Sequence, residues 1–210
     1  MKRLFKYTNK KKIVKESSMY QQVKFLWQFI TKPRSTGAIL PSSRFLARKM
    51  ISWLPFSELN AVAEFGPGTG SFTKHLLRKL SHNTRFLAVE LNPDFVKLLS
   101  SQFPALSIYH DSVTNIRSIC DRENISQLDA IVSGLPWANF PEELQMDILD
   151  SMMTVLKNGG RFCTFAYLQG LALPAAKKFR KRLDHYFSTV RTTMPVLLNI
   201  PPAVCYHCIR

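Results

Sequence analysis

The chain has 210 residues, 46% of them apolar, which is enough for one sizeable core and too few for two ordinary α/β domains. Lys and Arg outnumber Asp and Glu by 29 to 14, and residues 1–50 hold 13 of the basic side chains against the single acid Glu16, so the positive field is confined to one end. No run approaches the roughly 18 to 20 apolar residues of a spanning helix, no signal peptide is recognised, and four scattered cysteines exclude a disulfide scaffold. The expectation is a cytoplasmic protein, at most peripheral to the inner face of the cell membrane.

Residues 1–18 are polar and basic. From Met19 to Ile30, apolar residues at 19, 20, 23, 26, 27 and 30 mark one helical face, and Phe25 with Phe29 adds a second aromatic ridge. Aromatic residues beside Lys24 and a run of upstream lysines match the composition of a helix lying in a lipid interface. The plainer alternative is that both ridges pack against protein. Pro33 ends this helix, and a polar turn through Thr36, Gly37, Pro41, Ser42 and Ser43 leads to a further helical pattern at Leu46, Met50, Trp53 and Leu54. Residues 1–58 therefore read as a basic, amphipathic helical extension, and residues 59–210 as the core domain.

From Asn60 strands and helices alternate. Strands are predicted at 61–65, 85–90, 106–109, 129–132 and 161–167, and helices at 72–80, 93–102, 142–156 and 174–186. Such alternation implies a parallel sheet covered on both faces. Two closing strands, around 189–196 and 204–209, are joined through Pro201-Pro202 and can pair as a hairpin. Cys205 and Cys208 form one C-x-x-C pair with no second pair to complete a zinc site, and on a strand they face opposite sides, so no metal is expected.

The chemistry concentrates where strands end. The first runs into Gly66-Pro67-Gly68-Thr69-Gly70 and then a helix, a loop whose glycines let the backbone approach a ligand. Its third glycine comes one residue too early for a dinucleotide fingerprint, and an acid, Glu64, precedes the first. Glu90 ends the second strand, where a carboxylate can accept hydrogen bonds from both hydroxyls of a ribose. His110 and Asp111 follow the third strand and Ser133-Gly134-Leu135-Pro136-Trp137 the fourth, so all four segments can converge on one crevice. Taken singly, Glu90 and Asp111 can be helix caps and Trp137 can be core.

An acid with a G-x-G-x-G loop after strand one and an acid after strand two resemble the class I S-adenosylmethionine-dependent methyltransferases, over about residues 60–210. The resemblance implies a Rossmann-like, seven-stranded α/β sheet whose last strand is antiparallel, with S-adenosylmethionine as cofactor and S-adenosylhomocysteine as product. It implies that Glu64, Gly66, Pro67, Gly68 and Gly70 line the methionine portion, that Glu90 with Leu91 meets the ribose, and that Asp111 with Ser112 lies near the adenine. Ser133, Gly134, Leu135, Trp137 and Tyr167 are the candidate catalytic residues on the acceptor side, Ser133 also bordering the cofactor.

Phe29-Ile30-Thr31-Lys32-Pro33, Thr36 to Ser42, Ser133 to Pro136 and Pro201-Pro202-Ala203 are further similar to bacterial phospholipid N-methyltransferases, which make methylated phosphatidylethanolamines. That likeness implies an amine head group as acceptor, with the Met19–Ile30 helix meeting an anionic membrane and no obligate protein partner. Trp137 is expected to hold a methylated nitrogen over its ring. A more distant similarity is to rRNA adenine dimethyltransferases, for which the +15 net charge speaks. There Ser133 stands where an Asn would hold an exocyclic base amine, and one hydroxyl cannot reproduce a two-sided amide contact. Nucleic acid is therefore the less favoured partner. A non-catalytic nucleic-acid module that keeps the fold is a third reading, opposed by the intact loop with Glu90 and Asp111.

Overall fold

The computed structural model describes residues 42–210. The expected basic tail and the Met19–Ile30 helix lie outside the described residues, as does the similarity segment upstream of Ser42. The first helix, α1 (Arg44–Ile51), is capped by the Ser43 hydroxyl, which accepts from the Leu46 amide at 3.2 Å. Its buried side, Leu46, Ala47, Met50 and Ile51, joins Leu54 and Leu59 in the main core. The expected division between residues 58 and 59 thus falls inside one packed unit.

Seven strands follow: β1 (Ala61–Phe65), β2 (Arg85–Glu90), β3 (Ser107–His110), β4 (Leu128–Ser133), β5 (Leu156–Tyr167), β6 (Thr189–Thr192) and β7 (Ala203–Ile209). They form one sheet in the order β3-β2-β1-β4-β5-β7-β6, parallel except for β7, which runs antiparallel to both neighbours. The seven-stranded α/β expectation, antiparallel last strand included, is met. All residues of β1 and β4 are buried, because helices cover both faces of the sheet centre.

Between the strands lie α2 (Thr73–Leu77), α3 (Pro93–Gln102), α4 (Ile116–Arg122), α5 (Glu142–Met153) and α6 (Pro174–Tyr186). One face of the sheet offers Val62, Ala130, Val132, Cys163 and Cys205 to α1 and to Phe72 and Leu76. On the other, Phe162 lies edge-on to Trp137 and stacks on Phe187, while Phe179 of α6 meets Tyr206. At the amino end, Asp129 of β4 accepts from the amides of Asn60 and Ala61 at 2.6 and 2.8 Å and pairs with Lys157, fixing β1 beside β4.

Boundaries differ from the sequence reading where local geometry intervenes. Helix α2 stops at Leu77, after which Lys79 donates to the Leu76 carbonyl in a tighter turn. Strand β5 starts at Leu156, five residues early, and absorbs Gly159-Gly160 as an irregularity: pairing jumps from Leu128–Leu156 to Ala130–Arg161. Strand β6 stops at Thr192, since Pro195 offers no amide to the ladder, and only a bridge between Val196 and Ala203 continues it. All four cysteines are buried thiols, Cys205 and Cys208 pointing to opposite sides of β7.

Candidate active site

Strand order reverses between β1 and β4, and in such sheets the ligand crevice opens beyond the carboxyl ends of the strands on either side. The two strand ends meet backbone to backbone. The Gly134 amide donates to the Phe65 carbonyl at 2.8 Å, and a Cβ on Gly134 would sit 2.5 Å from the Gly66 carbonyl oxygen. Gly66 in turn has φ +64°, and a Cβ there would lie 2.6 Å from Leu135 Cδ2. Only glycine at both positions allows the loop after β1 and the loop after β4 to share this corner.

Glu64 is fully buried at the end of β1. One carboxylate oxygen accepts from the Thr73 hydroxyl at 2.7 Å, and the other has no partner among the described residues. Burial pushes its pKa up to about 8; the Thr73 hydrogen bond opposes this and the nearby Glu90 charge adds to it. Glu90, at the end of β2, accepts from the Gly68 amide and from the Asn92 amide, each at 2.9 Å. Burial raises its pKa too, partly offset by the backbone amides of Asn92, Gly68 and Leu91. Asn92 caps α3 through the Asp94 amide at 2.8 Å, so the helix start that follows Glu90 is held by its neighbour and not by Glu90 itself.

After β3, Asp111 accepts from the Ser112 amide and the Asn115 side chain, both at 2.7 Å, and meets Arg122 at 3.4 Å. Ser112 caps the short helical turn Val113–Asn115. His110 contacts the Leu91 carbonyl at 3.1 Å, joining the ends of β2 and β3. The Asp111 amide donates to the Glu90 carbonyl at 3.2 Å, which brings Glu90, Leu91, Asp111 and Ser112 to one rim.

The segment after β4 departs from expectation. Ser133 is buried, and its hydroxyl accepts from the Trp137 indole at 3.1 Å and from the Leu135 amide at 3.3 Å. Trp137 lies in the core instead of over the cleft: its ring stacks on Phe179 at 4.9 Å and stands edge-on to Phe162. A methylated nitrogen therefore has no access to the face that Phe179 covers, and Trp137 acts by fixing Ser133. Gln145 completes this support by donating to the Trp137 and Phe140 carbonyls at 2.8 and 3.1 Å. Tyr167, half-buried at the end of β5, packs edge-on to Phe165 at 5.4 Å, and burial raises its phenol pKa.

Three residues escaped the sequence reading: Thr73, Asn92 and Gln145. Asn92 carried a signal, an Asn directly before Pro93 at a helix start, whereas the partners of Thr73 and Gln145 are set by packing alone.

The site fits the cofactor that the sequence resemblance implies. The unpartnered oxygen of buried Glu64 suits an ammonium, and Glu90 keeps lone pairs for ribose hydroxyls beyond its two backbone bonds. The position a Cβ would take on Gly68 has nothing within 4 Å, so the loop presents open space there.

Comparison with known proteins agrees. Residues 63–162 match the methyltransferase domain family. An ornithine lipid N-methyltransferase of Singulisphaera acidiphila is 28% identical over 187 residues, covering 88% of this chain and 93% of its own. Among solved structures, the O-methyltransferase TomG of Streptomyces achromogenes, in complex with SAM, superposes with a TM-score of 0.65 at 13% identity, covering 88% of this chain and 89% of TomG. An O-methyltransferase from Bacillus cereus in complex with SAH gives 0.63 at 10% identity, covering 90% and 91%. These structural likenesses carry the fold, that of the class I methyltransferases; with the acid-and-glycine loop, the β2 carboxylate and the match over residues 63–162, the chain contains an S-adenosylmethionine-dependent methyltransferase domain.

Proposed function

We propose that this protein methylates the amine head group of a membrane lipid, phosphatidylethanolamine and its partly methylated forms being the first candidates and ornithine lipid the close alternative. The observation that carries this reading is the state of Ser133. Its hydroxyl already accepts from Trp137 and Leu135, so Ser133 has neither an amide nor an uncommitted acceptor with which to grip a planar base amine from two sides. An sp³ amine makes no such demand and needs only alignment and a free lone pair. The match to an ornithine lipid N-methyltransferase, along nearly the whole of both chains, supports the same class of acceptor.

When bound, S-adenosylmethionine supplies an electrophilic methyl group on a sulfonium. The chain's own residues then bind, align and desolvate. Glu90 takes the ribose hydroxyls, Glu64 the ammonium, and Asp111 with Ser112 borders the adenine. Gly134 and Leu135 shape the floor on which the acceptor amine rests, with Tyr167 at its rim. The phenol of Tyr167, shifted upward by burial, stays protonated at neutral pH and serves as a wall rather than a base. Excluding water from the cleft disfavours the ammonium form of the acceptor and exposes its lone pair.

No helix among the described residues is long and apolar enough to cross a membrane. Access to lipid is by surface contact at the inner face of the cell membrane, to which the Met19–Ile30 segment contributes its aromatic residues and the lysines upstream of it their charge. The test is transfer of labelled methyl from S-adenosylmethionine to vesicles containing phosphatidylethanolamine, to vesicles containing ornithine lipid, and to a structured RNA. Label on either lipid, lost with Glu90→Ala, is expected; label on RNA alone overturns the proposal.

A further inference from the structure

The link between β6 and β7 is built with its polar residue inside and its apolar residues outside. Met194, Leu197, Leu198 and Ile200 are 79, 70, 65 and 71% exposed, while Asn199 among them is buried. Asn199 is tied on both sides: its side-chain carbonyl accepts from the Ser43 amide at 2.9 Å, and its amide group donates to the Pro201 carbonyl at 2.7 Å. The base of the loop is closed by the Val196 amide donating to the Ala203 carbonyl at 2.7 Å. These bonds hold the loop open, with its leucines and isoleucine turned away from the core that would otherwise attract them.

Its position follows from the sheet. Strand β6 runs parallel to β5, so the loop leaves the same end of the sheet as Tyr167, and the Leu168 amide donates to the Pro202 carbonyl at 2.9 Å. Thr164 stands level with Ser133, its hydroxyl donating to the Ser133 carbonyl at 3.1 Å. The Tyr167–Ala203 pair therefore lies three residues, or about 10 Å, further out than Ser133. The apolar loop projects beyond the mouth of the candidate site, together with Leu173, 55% exposed, on the segment leaving β5.

Charge selects the occupant. Residues 185–209 contain Arg191 and no acid, and Lys177 in the first turns of α6 forms no ion pair among the described residues. An acid-free apolar tip with cations behind it complements an anionic bilayer, whose surface attracts basic side chains while its interior accepts apolar ones.

We infer that the 194–200 loop is a membrane-docking element that inserts Leu197, Leu198 and Ile200 into an anionic bilayer and sets the candidate site over its surface. The inference rests on the lipid reading of the acceptor and adds a contact distinct from the N-terminal segment. It explains how a lipid amine reaches a crevice at the strand ends: the loop grips the bilayer beside the crevice mouth, and the head group need rise only by the height of the rim.

The test uses the full chain and vesicles of phosphatidylethanolamine with phosphatidylglycerol. The triple variant Leu197→Ser, Leu198→Ser, Ile200→Ser is expected to keep its affinity for S-adenosylmethionine and its turnover of a short-chain, monomeric phosphatidylethanolamine. Turnover of the vesicle lipid should fall at least tenfold. Unchanged vesicle turnover overturns the inference, as does a change in oligomeric state between wild type and variant without lipid, which would assign the loop to a second copy. A separate readout does not depend on the acceptor: Leu198→Cys carrying an environment-sensitive fluorophore, in a chain whose native cysteines among the described residues are all buried, should shift to the blue on vesicles. If wild type methylates no lipid yet this shift occurs, the acceptor reading fails and the docking loop stands. No shift overturns the loop whatever the acceptor.

Discussion

The Glu90 carboxylate accepts a hydrogen bond from the Gly68 amide at 2.9 Å, so the acid that ends β2 is physically part of the glycine loop that follows β1. One residue thus has two tasks, presenting a carboxylate to the ribose and holding the loop that lines the rest of the cofactor. Replacing Glu90 removes both. Glu90→Gln should weaken S-adenosylmethionine binding by about tenfold or more, since hydrogen bonds to a charged group contribute about 1.5–3 kcal/mol. Glu90→Ala should weaken it further. Isothermal titration with cofactor and with S-adenosylhomocysteine checks this.

The raised pKa of Glu64 makes cofactor-free stability depend on pH. Its folded pKa, about 8, lies above the ordinary 4.5, so the folded state favours the proton. The stabilising effect of that proton is complete below pH 4.5 and is lost as pH rises toward and through 8. Glu64→Gln, neutral throughout and still able to accept from Thr73, should flatten this decline. Thermal midpoints of both proteins from about pH 6 to 8.5 measure it, corrected for other groups by the difference between the two curves.

Gly134→Ala places a methyl group 2.5 Å from the Gly66 carbonyl, a backbone atom that can yield only by moving the cofactor loop. The expected cost is about 1–3 kcal/mol with loss of cofactor binding. Gly170→Ala is the control, because nothing lies within 4 Å of its Cβ position and no unusual φ is required there. Chemical denaturation of the two variants should separate them clearly.

Ser133 and Trp137 should behave as a coupled pair. Ser133→Ala leaves the buried indole N–H without its 3.1 Å acceptor, at a cost of about 1–3 kcal/mol, whereas Trp137→Phe removes the donor with its ring largely replaced. In the double variant the two effects should be less than additive, as a double-mutant cycle on unfolding free energies would show. Ser133→Asn should not create an amine-holding site, because the buried position offers the longer amide no route to the cleft.

The order of elements, the glycine loop and the two strand-end acids are legible in the chain alone. Near-continuous apolar runs such as Ala61–Phe65 and Leu128–Ser133 leave few alternatives to central parallel strands, and an acid at the end of each of β1 and β2 is readable as a position in the chain. Side-chain direction is a different matter, because it depends on which neighbours are brought up by segments far away in sequence. Trp137 reads from the chain as an aromatic residue at a cleft, and only the arrival of Phe179 from α6 and Phe162 from β5 turns it into core. The same holds for Asn199, whose burial depends on Ser43, 156 residues away, and whose burial leaves Leu197, Leu198 and Ile200 facing outward. Local pattern sets what each segment can become; long-range packing decides which of its side chains are left to do chemistry.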